Sequence, residues 1–191
     1  MFSPIDRSSS LETRIRIAAS YTLGFRYGTG ASVRFPSPYP GVTVEISPYS
    51  SQIDCSSFTA WILSVVYPDA NWDKKTYQDM QIFDAARPWS PLEAAKRAGV
   101  ATEISQEPAP GRWALCQAWK DARTDDGDPL GGGHARLIRF DEEGDGVLVL
   151  DSSTRSSRGP GWSRITWGKL KDLYREDADE EDGVRFALLK G

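Results

Sequence analysis

The chain has 191 residues and a net charge of −4, with 39% hydrophobic and 11% aromatic residues. This length favours one domain spanning residues 1–191, and the aromatic content argues against an intrinsically disordered protein. The acidic balance gives a nucleic-acid partner no general electrostatic support. The two cysteines form no disulfide framework, and no spacing in the chain fits a zinc site.

The N-terminal sequence MFSPIDRSSSLETRIR lacks the apolar stretch of a signal peptide. No segment approaches the roughly 18 uninterrupted apolar residues that a membrane-spanning helix needs. We therefore expect a protein that is made in the cytoplasm without a signal peptide and has no membrane span.

The first predicted helix begins at Ser9, where Glu12 completes a capping box, and it ends before Gly24. Residues 25–53 are rich in Gly, Pro, Ser and Tyr and predict a long aromatic loop insert, with one short extended piece over 42–46. A loop of this length inside a compact domain is more often a functional wall than a spacer.

The second predicted helix is marked by apolar residues at i, i+3, i+4, i+7 and i+8, namely Phe58, Trp61, Ile62, Val65 and Val66. Asp54 is a suitable N-cap and Pro68 ends the helix. A third helix is expected over 76–86. A fourth begins with Ser90 as its cap, Pro91 at the first helical position and Glu93 to complete a capping box, and it ends near Gly99.

Beyond residue 100 the pattern changes to short apolar segments at 112–119, 134–140, 147–151 and 184–189. These segments predict strands, and residues 141–146 predict a hairpin connection between two of them. Helices followed by strands indicate an α+β fold with an antiparallel sheet.

Cys55 stands at the start of the second predicted helix, among polar neighbours. The free N–H groups and the dipole of a helix N-terminus stabilise a thiolate. A catalytic thiol and a buried structural thiol both fit this position. The other cysteine, Cys116, has apolar neighbours and is expected to be a buried strand residue.

His134 is the only histidine of the chain and follows three glycines at the start of a predicted strand. Any imidazole-based mechanism must therefore use it, although a structural histidine also fits the pattern. Asp151 ends the strand that follows the hairpin, so it can reach the same end of the sheet and orient the imidazole. Ser153 shares the face of Asp151 by two-residue alternation and is the alternative third member.

These motifs, in this order, resemble the NlpC-type and CHAP-like cell-wall cysteine peptidases and amidases of the papain-like superfamily. DCSSF with its apolar helix is similar to the family's D-C-S-G-hydrophobic signature, with Ser57 in place of the usual glycine. GGGHARLIRF is similar to the family's G-H-hydrophobic strand, and FRYGTG at 25–30 resembles the aromatic-glycine stretch before the nucleophile. The resemblance covers residues 11–155, although the insert before Ile53 is longer than is usual for the family.

The resemblance implies a papain-like, NlpC-type fold in which N-terminal helices pack on a central antiparallel sheet. It implies that Cys55 is the nucleophile, His134 the general base and then the acid, and Asp151 the orienting residue. No metal and no organic cofactor is implied.

The resemblance also implies roles for residues beside the nucleophile. Tyr27 would lie over Cys55 and help its backbone N–H to stabilise an oxyanion. Asp54 and Ser56 would line the pocket for the amino end of a stem peptide.

The expected function is that of a peptidoglycan hydrolase, an endopeptidase or amidase that cuts stem-peptide amides through a thioester. Without an export signal, a monomeric phage endolysin released to the wall through a separate pore is the preferred interpretation. An antibacterial amidase effector delivered by a secretion machine also fits. An intracellular cysteine peptidase, deamidase or acyltransferase on the same fold and a non-enzymatic binding or assembly module are the alternatives.

Overall fold

The computed structural model describes residues 5–22, 25–27, 52–80, 89–120, 132–153, 159–177 and 183–191. Its helices are α1 (Leu11–Ser20), α2 (Cys55–Val66), α3 (Lys74–Met80), α4 (Ser90–Arg97) and α5 (Trp167–Asp177). Its strands are β1 (Arg26–Tyr27), β2 (Gln52–Ile53), β3 (Ala101–Ile104), β4 (Trp113–Lys120), β5 (Gly132–Phe140), β6 (Gly146–Ser153), β7 (Gly159–Thr166) and β8 (Val184–Leu189). The chain therefore has an α+β fold.

A six-stranded antiparallel sheet with the order β3-β8-β4-β5-β6-β7 forms the centre of the fold. Strands β5 and β6 form the predicted hairpin, which Asp141 closes by donating its N–H to the oxygen of Gly146. The C-terminal strand β8 inserts between β3 and β4. The predicted helices-then-sheet arrangement is confirmed at this level.

Two apolar clusters cover opposite faces of the sheet, because successive residues of a strand point to opposite sides. Leu115 and Leu137 belong to the larger cluster, together with apolar side chains of α1, α2 and α4. Their neighbours Cys116 and Ile138 belong to the second cluster, which includes Leu170 of α5. The sheet is thus buried on both faces, and α2 lies on the face of the larger cluster.

Helix α2 begins and ends where local signals predict. The Asp54 carboxylate accepts a hydrogen bond of 2.7 Å from the backbone N–H of Ser57, as an N-cap does. The last helical residue is Val66, two positions before Pro68. Nearly every side chain of the helix is buried, which fixes Cys55 at its first position relative to the sheet.

Both predicted capping boxes are wrong. The N-cap of α1 is Ser10 and not Ser9, and its hydroxyl accepts from the N–H of Thr13. The α1 helix ends at Ser20, before the predicted stop. At α4 the N-cap is Trp89, and the Ser90 hydroxyl donates instead to the oxygen of Asp79 in α3. In α4 a tertiary hydrogen bond replaces the local cap.

The structure contains elements that the sequence pattern did not predict, namely β3, β7 and α5. Strand β7 lies at the sheet edge and is mostly half-buried or exposed, so it lacks a clear alternation. Both ends of the expected loop insert are strands, since β1 and β2 pair in parallel. The extended piece at 42–46 and the second half of the predicted third helix lie outside the described residues. Among the helices described, none is long and apolar enough to cross a membrane.

Candidate active site

The structure places Cys55 as the first residue of α2, buried to 4% exposure. Its N–H belongs to the first turn of the helix and therefore has no acceptor within the helix. The Sγ atom lies 3.9 Å from the backbone oxygen of Gly133, the residue before His134. The start of α2 and the start of β5 thus meet at the thiol.

The single histidine interacts with both predicted partners. His134 Nε2 lies 2.9 Å from Asp151 Oδ2, and the Cys55 side chain is close enough to raise the pKa of the ring. Because Asp151 occupies Nε2, the other ring nitrogen, Nδ1, is left for the thiol. Cys55, His134 and Asp151 therefore form one connected set.

The pairing of β5 with its two neighbours explains how these side chains meet. Strand β5 pairs with β4 as far as Gly132 at its start. Its pairing with β6 covers only residues Leu137 to Phe140 of β5. Beyond the end of this ladder, the side chains of His134 and Asp151 join the two strands. His134 and Asp151 thus meet at the end of β5 that lies beside the N-terminus of α2.

The electrostatic environment favours a protonated His134. Burial, the largest effect, and the Arg136 guanidinium both act to lower the pKa of His134. The negative charge of Cys55 and the hydrogen bonds to Asp151 and Cys55 outweigh them and raise that pKa from 6.5 to about 9. At neutral pH the imidazole of His134 is therefore protonated.

Arg136 is a member of this site that the sequence reasoning missed. It is buried to 3% exposure, and its Nε lies 4.0 Å from Asp151 Oδ2, the oxygen that also contacts His134. The sequence did hold a signal: an arginine two positions after the histidine in an apolar strand shares its face. Two cations and two potential anions are thus buried together.

Asp54 and Ser56 lie next to the thiol, but their side chains form hydrogen bonds at the N-terminus of α2. Ser56 Oγ donates to Asp54 Oδ1 at 3.0 Å, and the same oxygen caps the helix. Burial raises the pKa of Asp54, against hydrogen bonds from Ser57 and Ser56 that act to lower it. A ligand cation beside this half-buried carboxylate would offset part of its desolvation.

The remaining predicted site residues are placed only by their backbones. Tyr27 pairs with Ile53 in the parallel ladder, so its backbone lies beside the segment that leads into Cys55. Ser153 pairs with Gly159 at the end of β6. The side chains of both residues lie outside the described part of the structure, and their predicted roles stay predictions.

Within the described residues, no group of three or more His, Cys, Asp or Glu side chains is arranged to hold a metal ion. The side chains that meet at the start of α2 are a thiol, an imidazole and a carboxylate, the residue types that nucleophilic acyl transfer uses.

No protein-family model matches the chain, and no curated protein or solved structure is significantly similar to it.

Proposed function

We propose that this protein is a papain-like cysteine hydrolase that cleaves amide bonds in the stem peptides of peptidoglycan. The observation that carries the proposal is the connected set of Cys55 at a helix N-terminus, His134 and Asp151. The substrate class is taken from the resemblance of the DCSSF and GGGHARLIRF segments to cell-wall peptidases.

In the proposed reaction the Cys55 thiolate attacks the amide carbon and forms a C–S bond. The backbone N–H of Cys55, which has no helical acceptor, stabilises the resulting oxyanion. The His134 imidazolium gives its proton to the leaving nitrogen as the C–N bond breaks, leaving a thioester. The neutral imidazole then takes a proton from water, which attacks the thioester and releases the acid and the thiolate.

The surroundings of Cys55 also suit the expected ligand. A stem peptide carries free amino groups, and Asp54 provides a half-buried carboxylate next to the nucleophile. A phage endolysin acting on the wall after release is the biological setting that we propose, and a delivered antibacterial amidase would use the same chemistry.

The direct test is digestion of purified peptidoglycan, with mass spectrometry of the released fragments. We expect soluble fragments in which each cut creates one new amine, and their masses identify the bond. Cys55→Ala should reduce release by at least about a thousandfold, whereas Cys116→Ala should retain it, because Cys116 is buried in β4.

Two results would contradict the proposal in different ways. An intact wall together with rapid alkylation of Cys55 by iodoacetamide near neutral pH would favour a cysteine hydrolase with another substrate. An intact wall together with an inert Cys55 would favour a binding or assembly module.

A further inference from the structure

Arg136 is an unusual residue for the strand that carries it. It lies in β5, in the interior of the six-stranded sheet, and is buried to 3% exposure. Arginine is rarely buried to this extent unless its charge is compensated. The Asp151 carboxylate lies beside it, with Oδ2 at 4.0 Å from Nε.

We propose that Arg136 is a positioning residue of the site, a buried cation that shares Oδ2 of Asp151 with His134 and balances the charge around the imidazole. Asp151 thereby contacts a cation on each side, since Nε2 of His134 lies 2.9 Å from the same oxygen. The catalytic meaning of this inference rests on the proposed function, but the charge arrangement itself does not.

The effect of Arg136 on the protonation of His134 depends on the other groups around the imidazole. The charged or titratable groups that act on His134 are Cys55 from α2, Asp151 from β6 and Arg136 from its own strand. On β4, the neighbour on the other side, Cys116 pairs with Arg136. Of these described groups, only Arg136 disfavours the protonated ring by its charge, so without it Cys55 and Asp151 would both favour the imidazolium unopposed by a charge among them.

Such an imidazolium would release its proton less readily to a leaving amine. Cys55 and Asp151 raise the pKa of His134, and the charge of Arg136 lowers it. Efficient general acids have a pKa near the working pH. The buried arginine therefore helps to keep the proton of His134 transferable.

The test is an NMR titration of the imidazole, which needs no substrate and gives one curve because His134 is the only histidine. Arg136→Gln should move the titration midpoint upward, by on the order of one pH unit. Arg136→Lys should stay close to the native midpoint, because it keeps the charge. The matched control is Arg139→Gln on the same strand, whose arginine pairs with Glu12 and should leave the midpoint unchanged.

A folded Arg136→Gln protein with the native midpoint would overturn the inference. Should Arg136→Gln not fold, the same substitution is made in an Asp151→Asn background, which leaves no uncompensated carboxylate. An upward shift relative to Asp151→Asn alone is expected there, and its absence overturns the inference. A chain that shows the shift but leaves peptidoglycan intact would refute the proposed function and not the role of Arg136.

Discussion

The four ionisable side chains of the site are individually unfavourable in a protein interior and are tolerated because they compensate one another. Cys55, His134 and Arg136 are each less than one tenth exposed, and Asp151 connects the two cations. Removing one partner of a buried charge set leaves the others uncompensated. Single substitutions should therefore change the protonation of the remaining members.

The first prediction concerns the thiol. Cys55→Ala removes the negative charge and the hydrogen bond that raise the pKa of His134, while burial and Arg136 continue to lower it. The midpoint of the imidazole NMR titration should therefore fall well below its native position near pH 9. Cys116→Ala is the control and should not move it. An unchanged midpoint in Cys55→Ala would mean that the thiol does not interact with the ring.

The second prediction concerns stability against pH. The pKa of His134 is raised from 6.5 to about 9 in the folded protein, so its contribution to the free energy of unfolding is complete below pH 6.5 and is lost as pH rises through 9. The contribution is about 3 kcal/mol. Urea denaturation at pH 6 and pH 9.5 should show that the native chain loses more stability than His134→Gln. Equal losses in the two proteins would contradict the assigned pKa.

At the scale of elements, Asp54 has two properties at the N-terminus of α2 that substitution can separate. Asp54 caps the helix through its oxygen and carries a half-buried charge next to Cys55. Asparagine can replace the capping function, because its side-chain oxygen also accepts a hydrogen bond. It cannot replace the negative charge. Substitution at this position can therefore separate helix stability from ligand binding.

The third prediction uses this separation. Asp54→Ala should lower the free energy of unfolding by about 1 kcal/mol, whereas Asp54→Asn should keep it within a few tenths of that of the native chain. Urea denaturation of the three proteins measures both values. If Asp54 also binds a substrate amine, Asp54→Asn should raise KM for wall fragments while stability is kept. A large loss of stability in Asp54→Asn would show that the charge, and not the cap, supports the helix.

The parallel pair β1–β2 packs closely against the sheet at Gly159, a position that only glycine can occupy. Gly159 has φ +84°, and a Cβ there would lie 2.2 Å from the backbone oxygen of Phe25 and 2.8 Å from Cα of Arg26. A backbone neighbour cannot move aside as a flexible side chain can. Any larger residue must therefore push β1 away from the start of β7.

The fourth prediction follows from this contact. Gly159→Ala should lower the free energy of unfolding by at least about 1 kcal/mol, since the new residue also meets a positive φ. It should reduce alkylation or hydrolysis at Cys55 as well, because β1 pairs with the strand that leads into the thiol. The control is Gly161→Ala, where a Cβ would meet only an ordinary contact at 3.9 Å. Equal effects of the two substitutions would contradict the role of the close approach.

At the scale of the whole molecule, the C-terminal strand completes the sheet that carries the site. Strand β8 pairs with β3 on one side and β4 on the other, and it buries Ala187 and Leu189 in the larger core. Strand β4 in turn pairs with β5 from Gly132 to Arg139, and this stretch carries His134. The position of the imidazole thus depends on a strand that is distant from it in the sequence.

The fifth prediction tests this dependence. Deletion of residues 184–191 should abolish the cooperative unfolding transition, because β3 and β4 then expose unpaired edges and the larger core loses two buried side chains. Deletion of Gly191 alone, which is exposed, should be neutral. Thermal unfolding followed by circular dichroism distinguishes the two. A cooperative transition without β8 would contradict its structural role.

The elements with strong local signals were predictable and the others were not. Helix α2 and strands β5, β6 and β8 each have an apolar pattern over most of their length, so their local sequence indicates their structure. The edge strand β7 and helix α5 have few buried side chains among the residues described, which leaves little pattern to detect. The cap at Ser90 failed for a different reason, because its hydroxyl bonds to α3 rather than to its own helix.

The sequence by itself determined the α+β composition and the position of Cys55 at a helix N-terminus, because a cap and an apolar repeat act over neighbouring residues. It also restricted any imidazole chemistry to His134, since the chain has no other histidine. Only the tertiary structure decided that thiol, imidazole and carboxylate meet, and that Arg136 joins them. Those contacts depend on the sheet register and on how α2 packs against β5, and both are set by packing between distant segments.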